Sequence, residues 1–188
     1  GRLGGHDDVA VGIPVAGQLG EGQEGLVGHC VNLLPVRLAP KMDEDVGALA
    51  RNASTALLDG FDHSRMTFGS LLRRLQIARD PSRVALVPVM FNVEAGIPSG
   101  ALADTSLKVR VRANPRHFEN AEIFLNIVQA DGRLVLECQY NSDLFDADTI
   151  RRWMALYCTA LDRCAADASI IAAAAFAPSA EEEALIER

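Results

Sequence analysis

The sequence predicts a mixed α/β sandwich in which at least one pair of strands is antiparallel. The strongest observation is a hairpin, because two strand-like stretches, 121–129 and 133–140, flank the turn signal Ala130-Asp131-Gly132. Apolar residues also recur at helical spacing in three separate stretches, which indicates helices beside the sheet. No glycine-rich phosphate loop follows a strand, so the pattern disfavours a doubly wound nucleotide-binding fold.

Two strands open the predicted sheet. Residues 8–15 have the apolar composition of a strand, and the glycine-rich stretch 18–25 that follows predicts a loop. Residues 26–37 predict a buried strand with one polar side chain, Asn32, among apolar neighbours. Pro35 has no backbone N–H to donate, so this strand is expected to lie at an edge of the sheet or to end there.

Asn32 has two interpretations on the sequence alone. An unpaired buried amide costs about 1–3 kcal/mol, so its side chain must bond to neighbouring backbone or face a ligand. The adjacent residues His29 and Cys30 resemble a base and its nucleophile. Successive strand residues point to opposite faces, however, so they cannot form a dyad, and His29 is expected to be half-buried near the strand end.

Two helices, further strands and a last helix complete the pattern. Apolar stripes predict helices over 41–59, with acidic residues in the first turn, and over 67–78. Residues 84–94 predict a strand, and 107–112 alternate apolar and basic residues as a half-exposed strand does. After the hairpin, a last helix opens at Asp146, whose negative charge suits a helix N-terminus.

Composition excludes several classes of protein. The 188 residues carry a formal net charge of −7, which argues against nucleic-acid binding because phosphate contacts need clustered Lys and Arg. No apolar run is long enough to cross a bilayer and no signal peptide is evident, which predicts a cytoplasmic chain without membrane contact. The four cysteines lack metal-ligand spacing, so no metal or directly bound cofactor is expected. The start without Met suggests a piece of a longer protein.

Four separated segments, in this order, resemble the second half of a condensation domain of nonribosomal peptide synthetases. They are residues 7–18 (DDVAVGIPVAGQ), similar to the strand that opens this half; residues 27–37 (VGHCVNLLPVR), similar to the family's (I/V)GxFVNTxxxR; residues 78–83 (ARDPSR) followed by 90–92 (MFN), similar to RDxSRNPLFxVMF; and residues 140–146 (YNSDLFD), similar to YNTDLFD. The resemblance implies a lobe like chloramphenicol acetyltransferase, a two-layer α/β sandwich with a mixed, largely antiparallel sheet. It implies that residues 1–168 form the C-terminal half of the domain and 169–188 a linker towards an adenylation domain.

The resemblance implies a function shared with a second lobe. In the family, a carrier-bound acyl or peptidyl thioester meets a carrier-bound aminoacyl amine in a tunnel between two lobes, and an amide forms. The family's catalytic HHxxxDG motif, which lies in the N-terminal lobe, is absent from this sequence, so the chain alone is expected to be inactive. Asn32 and His29 become candidates for the tunnel wall. Expected partners are the N-terminal lobe, the donor and acceptor peptidyl carrier proteins with their phosphopantetheine arms, and the adjacent adenylation domain.

The other motif residues have both structural and functional interpretations. Arg37 is expected in an ion pair at the strand end. An Arg–Asp bridge or a serine cap is expected to hold the corner at 79–83, with contact to a pantetheine arm as the alternative. A turn or the entry to the last helix is expected at 141–143. The residues concerned are Arg37, Arg79, Asp80, Ser82, Arg83, Asn141 and Asp143.

Two other function classes stay open beside condensation. The first is a lobe that docks carrier proteins and substrates without chemistry, for which Arg73 and Arg74 on the second predicted helix are candidate contacts. The second is the lobe of a related epimerisation or heterocyclisation domain. The epimerising branch usually departs from the family pattern at the Asn32 motif, so the pair Val31-Asn32 favours condensation.

Overall fold

The computed structural model describes residues 8–17, 25, 27–77, 80–96 and 121–179. The elements are β1 (Val9–Ala16), β2 (Val31–Leu38), α1 (Val46–Asp62), α2 (Phe68–Leu75), β3 (Val89–Ala95), β4 (Ile123–Ala130), β5 (Arg133–Tyr140), α3 (Ala147–Ala166) and α4 (Ala172–Ala175). The strand predicted at 107–112 and the motif residue Arg79 lie outside the described residues.

The five strands form one mixed sheet in the order β2-β1-β3-β4-β5. β1 pairs with β2 and β4 with β5 in antiparallel ladders, whereas β3 runs parallel to both of its neighbours. The predicted mixed sheet is therefore confirmed, and its two antiparallel ladders are longer than either parallel one. β2 lies at an edge, where Pro35 removes no needed donor.

The main core lies between the β1–β2 ladder and α1. Alternate residues of β2 share one face of the sheet, so Asn32 lies on the same side as Leu34 and Val36. α1 approaches this face closely at Gly60, where an added Cβ would lie 3.1 Å from Leu34 Cδ2. The cluster comprises buried Val15, Leu34 and Val36, with Ile13, Leu38, Ala56 and Leu57 packed against them.

The predicted hairpin between β4 and β5 is confirmed. Asp131 and Gly132 occupy the two turn positions with φ of 50° and 71°. Two successive positive φ angles are typical of a type I′ turn, whose twist matches that of antiparallel strands. The turn residues read from the sequence thus set the register of this ladder.

Both helices of the first half are shorter than the predicted ranges 41–59 and 67–78, although α1 extends three residues past its predicted end, to Asp62. The Asp45 side chain accepts from Ala48 N at 2.7 Å, so α1 begins at Val46 and not at residue 41. The prediction of acidic residues in its first turn is therefore wrong, since Asp45 caps the helix from outside. α2 ends at Leu75 and not at residue 78, because Gln76 adopts the left-handed conformation with φ of 50°.

Two predicted strands are also longer than the observed ones. β2 begins at Val31, and His29 before it is exposed and not half-buried. β3 begins at Val89 because Leu86, with φ of 66°, breaks the extended backbone at the start of the predicted strand. Val87 between them is fully buried, so this irregular segment is still anchored in the core.

The segment after α3 packs against the start of α1. Val46 N donates to Ile170 O at 3.0 Å and Gly47 N to Ala168 O at 2.9 Å. Ala172 and Ala175 of α4 are fully buried, and α4 contacts both α1 and α3. The boundary predicted after residue 168 stays a prediction, but the first residues beyond it are attached to the sandwich.

Candidate functional site

Every hydrogen-bonding position of the Asn32 side chain is occupied by backbone. Its Nδ2 donates to Ser64 O at 2.9 Å and to Met66 O at 3.0 Å. Its Oδ1 accepts from Leu33 N at 3.0 Å and from Phe68 N at 3.2 Å. The residue is half-buried, and an amide offers two donors and two acceptor positions, so no bonding capacity is left for a ligand.

Asn32 therefore connects β2 to the loop between α1 and α2. The first N–H groups of a helix have no partner within the helix. At the start of α2, Asn32 accepts from Phe68 N, and the capping residue Thr67 accepts from Ser70 N. These bonds support the structural interpretation of Asn32 over a tunnel-wall role, which stays a prediction. The other tunnel candidate, His29, is exposed and precedes the strand.

Arg37 lies at the opposite end of β2, on the surface. Its Nε donates to both carboxylate oxygens of Asp8 at 2.9 Å, which links the end of β2 to the start of β1. These hydrogen bonds lower the pKa of Asp8. The Arg37 side chain is 81% exposed, so water screens this ion pair.

Arg83 forms a bidentate ion pair with a carboxylate that the motifs do not single out. Its Nε lies 2.6 Å from Glu122 Oε1 and its terminal nitrogen 2.9 Å from Glu122 Oε2. Val84 N also donates to Glu122 Oε1, at 3.3 Å. Glu122 is 4% exposed, and the Arg83 hydrogen bonds lower the pKa of its carboxyl.

Glu122 also joins two of the sequence motifs, because its side chain binds Arg83 and its backbone binds Asn141. Its N–H donates to Pro88 O, and its carbonyl accepts from Asn141 N, both at 2.9 Å. The motif segments 80–83 and 140–146 therefore meet at Glu122, the residue directly before β4. The sequence offers one weak signal for this role, an acidic residue directly before an apolar strand.

The side chains of Asp80 and Asn141 each accept a hydrogen bond from the backbone N–H two residues later, which forms a local turn. Asp80 Oδ1 accepts from Ser82 N at 2.9 Å and from Ser82 Oγ at 2.6 Å, and these bonds lower the pKa of Asp80. Asn141 Oδ1 accepts from Asp143 N at 2.8 Å. Such side-chain turns position backbone and support the structural interpretation of these motif residues.

A polar cluster, here named the Asn126 cluster, occupies neighbouring positions of β3, β4 and β5. It comprises Asn92, Glu94, Asn126, Glu137 and Gln139. Asn126 is 8% exposed and bonds to three of the other members. The motifs do not point to this cluster. The only signal in the sequence is that polar residues recur at alternate positions of two predicted strands, 92 and 94, then 137 and 139.

Neither a metal site nor a membrane-spanning helix is found among the described residues. Within these residues, no group of three or more His, Cys, Asp and Glu side chains is arranged to hold a metal ion. None of the helices described there combines the length and apolar character needed to span a bilayer.

Comparison with known proteins defines the class. The family model of the condensation domain matches residues 1–186, and the chain belongs to this family. It is 32% identical over 184 residues to surfactin synthase subunit 2 of Bacillus subtilis (strain 168), which covers 97% of this chain and 5% of that protein. It is 28% identical over 170 residues to tyrocidine synthase 3 of Brevibacillus parabrevis, which covers 90% of this chain and 3% of that protein.

Solved structures confirm the fold. A four-domain nonribosomal peptide synthetase, holo-AB3403, matches with a TM-score of 0.79 and 19% identity over 94% of this chain and 14% of that chain. The condensation domain of the Monacolin K polyketide synthase MokA matches with a TM-score of 0.78 and 17% identity over 90% of this chain and 39% of that chain. The X-domain from teicoplanin biosynthesis matches with a TM-score of 0.75 and 18% identity over 90% of this chain and 39% of that chain.

Proposed function

We propose that this chain is the C-terminal lobe of a nonribosomal peptide synthetase condensation domain. The observation that carries the proposal is 32% identity to surfactin synthase subunit 2 across 97% of the chain. The four motif segments add support, because they match the second half of the family in order. The lobe would form one wall of a tunnel in which a carrier-bound thioester is attacked by a carrier-bound aminoacyl amine.

In this proposal the chain contributes positioning and not acid–base chemistry. Amide formation needs the amine held against the thioester carbonyl and a group that handles the amine proton. The HHxxxDG motif that supplies this group in the family is absent from the sequence, so a second lobe must provide it. The contacts of Asn32 and Glu122 would keep the wall rigid while the two substrates meet.

The proposed partners follow from the same relationship. They are the N-terminal lobe, the donor and acceptor peptidyl carrier proteins, and an adjacent adenylation domain. The substrates would arrive on the phosphopantetheine arms of the carriers, so this lobe needs no cofactor of its own. The match to a four-domain synthetase is consistent with such neighbours.

A docking lobe without chemistry is the second candidate. The likeness to the teicoplanin X-domain favours it, because one structure of that domain was solved as a complex with OxyB. Arg73 and Arg74 of α2 are exposed and available for such a contact.

One reconstitution experiment separates the two candidates. The chain is assayed alone and together with its cognate N-terminal lobe, using loaded donor and acceptor carriers, with amide product measured by mass spectrometry. We expect no product from the chain alone and product from the two lobes together. Carrier binding without product, in the presence of an intact HHxxxDG motif, would support the docking function. Product from the chain alone would contradict both.

A further inference from the structure

The two edges of the sheet differ in whether they can accept a further strand. β2 forms one edge and β5 the other. A free edge presents unpaired N–H and C=O groups to which another strand can add, unless proline or a local hydrogen bond blocks it. The hydrogen bonds of the two antiparallel ladders show which backbone groups point away from the sheet at each edge.

The β2 edge is blocked in its middle. Gly17 N donates to Cys30 O, and such bonded pairs alternate along an antiparallel ladder, so the odd-numbered residues of β2 point their backbone groups outwards. Pro35 is one of these residues and has no N–H. Leu33 is another, and its N–H already donates to Asn32 Oδ1 at 3.0 Å. The two central outward positions of β2 therefore offer no free donor.

The β5 edge is open. Asn141 N donates to Glu122 O, so the odd-numbered residues of β5 bond to β4 and the even-numbered residues point their backbone groups outwards. Leu134 and Leu136 are the first two of these residues, and no proline interrupts the strand. Among the described residues, no group bonds to the outward N–H or C=O of either leucine. β5 therefore presents a run of free donors and acceptors.

Apolar surface is exposed along the same stretch of β5. Leu134 is 60% exposed and Val135 is 52% exposed. Successive strand residues point to opposite faces, so apolar surface is exposed on both faces of this edge. Residues 136–140 are half-buried, which confines the exposed part to the residues next to the hairpin turn. Natural sheets protect such an edge with charges, proline or a covering segment, and a partner strand would cover it here.

The charges of β5 fit a second copy of the same strand. In an antiparallel pair of two copies, outward groups must face outward groups, so even-numbered residues pair with even-numbered ones. The register that pairs Leu134 with Leu136 of the second copy also places Arg133 opposite Glu137 of that copy, twice by symmetry. In this register Val135 faces Val135 of the second copy. Opposite charges that face each other across an antiparallel pair stabilise it.

The neighbouring registers fit less well. A shift that pairs Leu136 with Leu136 of the second copy places Arg133 opposite Gln139, which leaves the arginine charge unpaired. The next shift in that direction places Glu137 opposite Glu137 of the second copy, and like charges directly opposite each other are destabilising. A shift towards the turn leaves only residues 133–135 in the ladder. The first register therefore combines opposite charges with cover for the exposed apolar residues.

We propose that β5 joins two copies of this chain edge to edge, in the register that pairs Leu134 with Leu136. Each leucine pair exchanges two backbone hydrogen bonds, and an Arg133–Glu137 ion pair lies on either side of them. Contact is confined to one strand per copy, so the dimer is weak and its population rises with protein concentration. Because β2 is blocked, assembly stops at two copies. The inference goes beyond the proposed function and does not rest on it.

The test uses the full 188-residue chain in solution. Sedimentation velocity is measured over a series of protein concentrations, and hydrogen exchange of the Leu134 and Leu136 amides is followed over the same series. We expect a monomer–dimer equilibrium without larger species, and slower exchange of both amides as the dimer forms. A monomer at every concentration, larger assemblies, or a dimer in which both amides stay unprotected would each overturn the inference.

The variant Leu134→Pro removes the outward N–H of an exposed residue and keeps the bonds of β5 to β4, and we expect it to weaken dimerisation about tenfold or more. Val31→Pro is the matched control. Val31 is 53% exposed and, as an odd-numbered residue of β2, points its N–H outwards at the opposite edge. This control should dimerise as the unmodified chain does. Unchanged affinity in Leu134→Pro, or equal weakening in both variants, would contradict pairing through β5.

Exchanging the charges tests the register. Arg133→Glu and Glu137→Arg each place like charges opposite each other in their own dimers, so each variant alone should dimerise about tenfold or more weakly than the unmodified chain. In a mixture of the two, opposite charges face each other at both positions, and we expect a mixed dimer as stable as the unmodified one. No recovery in the mixture would overturn the register and the proposal with it.

Circular dichroism checks that each variant is folded. Glu137 also accepts a hydrogen bond from Asn126, so Glu137→Arg is the variant most exposed to a folding defect. Should it fail to fold, the comparison of Leu134→Pro with Val31→Pro decides the question. Should Leu134→Pro fail to fold, Arg133→Glu decides it, because this substitution changes only an exposed side chain, and an unchanged dimer affinity would overturn the proposal.

Discussion

Arg83 and Glu122 form a bidentate ion pair across 39 positions of sequence, with N–O distances of 2.6 and 2.9 Å. The pair joins the corner before β3 to the first residues before β4, and these two strands then run parallel. Parallel neighbours cannot be joined by a tight turn, and this ion pair connects the two chain segments that enter the β3–β4 ladder. Asn141 bonds to the same residue, which makes Glu122 the meeting point of two motif segments.

We expect Glu122→Gln to lower the free energy of unfolding by about 1–3 kcal/mol at pH 7, because a charged hydrogen bond to a buried carboxylate is lost. The folded pKa of Glu122 lies below its unfolded value, so its ionised form stabilises the fold above the unfolded pKa. That stabilisation disappears as the pH falls through the folded pKa. The gap between the unmodified chain and the variant should therefore close in acid.

Thermal unfolding of both proteins between pH 7 and pH 3 measures this gap. Asp62→Asn is a suitable control, since it removes an exposed carboxylate far along the chain from this corner. A constant gap across the whole range would show that the ionisation of Glu122 does not contribute to stability.

Asn32→Ala is expected to destabilise the chain by about 1–3 kcal/mol, because it leaves backbone groups at the half-buried residues Ser64 and Phe68 without this partner, in addition to one at the exposed Met66. Chemical denaturation measures the loss. Asn52→Ala is the matched control, since Asn52 is exposed and makes one bond, to Glu44. In a complete condensation domain, a large loss of rate with an unchanged unfolding midpoint would favour the tunnel-wall interpretation instead.

Two glycine substitutions should change the free energy of unfolding in opposite directions. Gly132→Ala places a Cβ on a residue with φ of 71°, which costs about 1–2 kcal/mol in the left-handed region. Gly69→Ala lies inside α2 with nothing within 4 Å of the new Cβ, so the helix should gain about 0.5–1 kcal/mol. Unfolding midpoints of the two variants check both. A stable Gly132→Ala protein would mean that the hairpin can adopt another turn.

Local chemistry explains why much of the fold is predictable. The turn at Asp131-Gly132 and the cap at Asp146 depend on neighbouring residues only, and both lie where the sequence predicts them. The start of β3 and the end of α2, in contrast, are not predictable from neighbouring residues. Leu86 and Gln76 adopt positive φ without being glycine, and local propensity does not reveal that conformation.

The sequence by itself determined the mixed α/β class, the β4–β5 hairpin and the resemblance to condensation domains, because each depends on residues close together in the chain. The tertiary structure decided which polar side chains meet. Asn32 bonds to residues 32 to 36 positions away, and Asn126 bonds across three strands. Hydrogen bonds need groups within about 3 Å, and only the folded chain brings residues so distant in sequence that close.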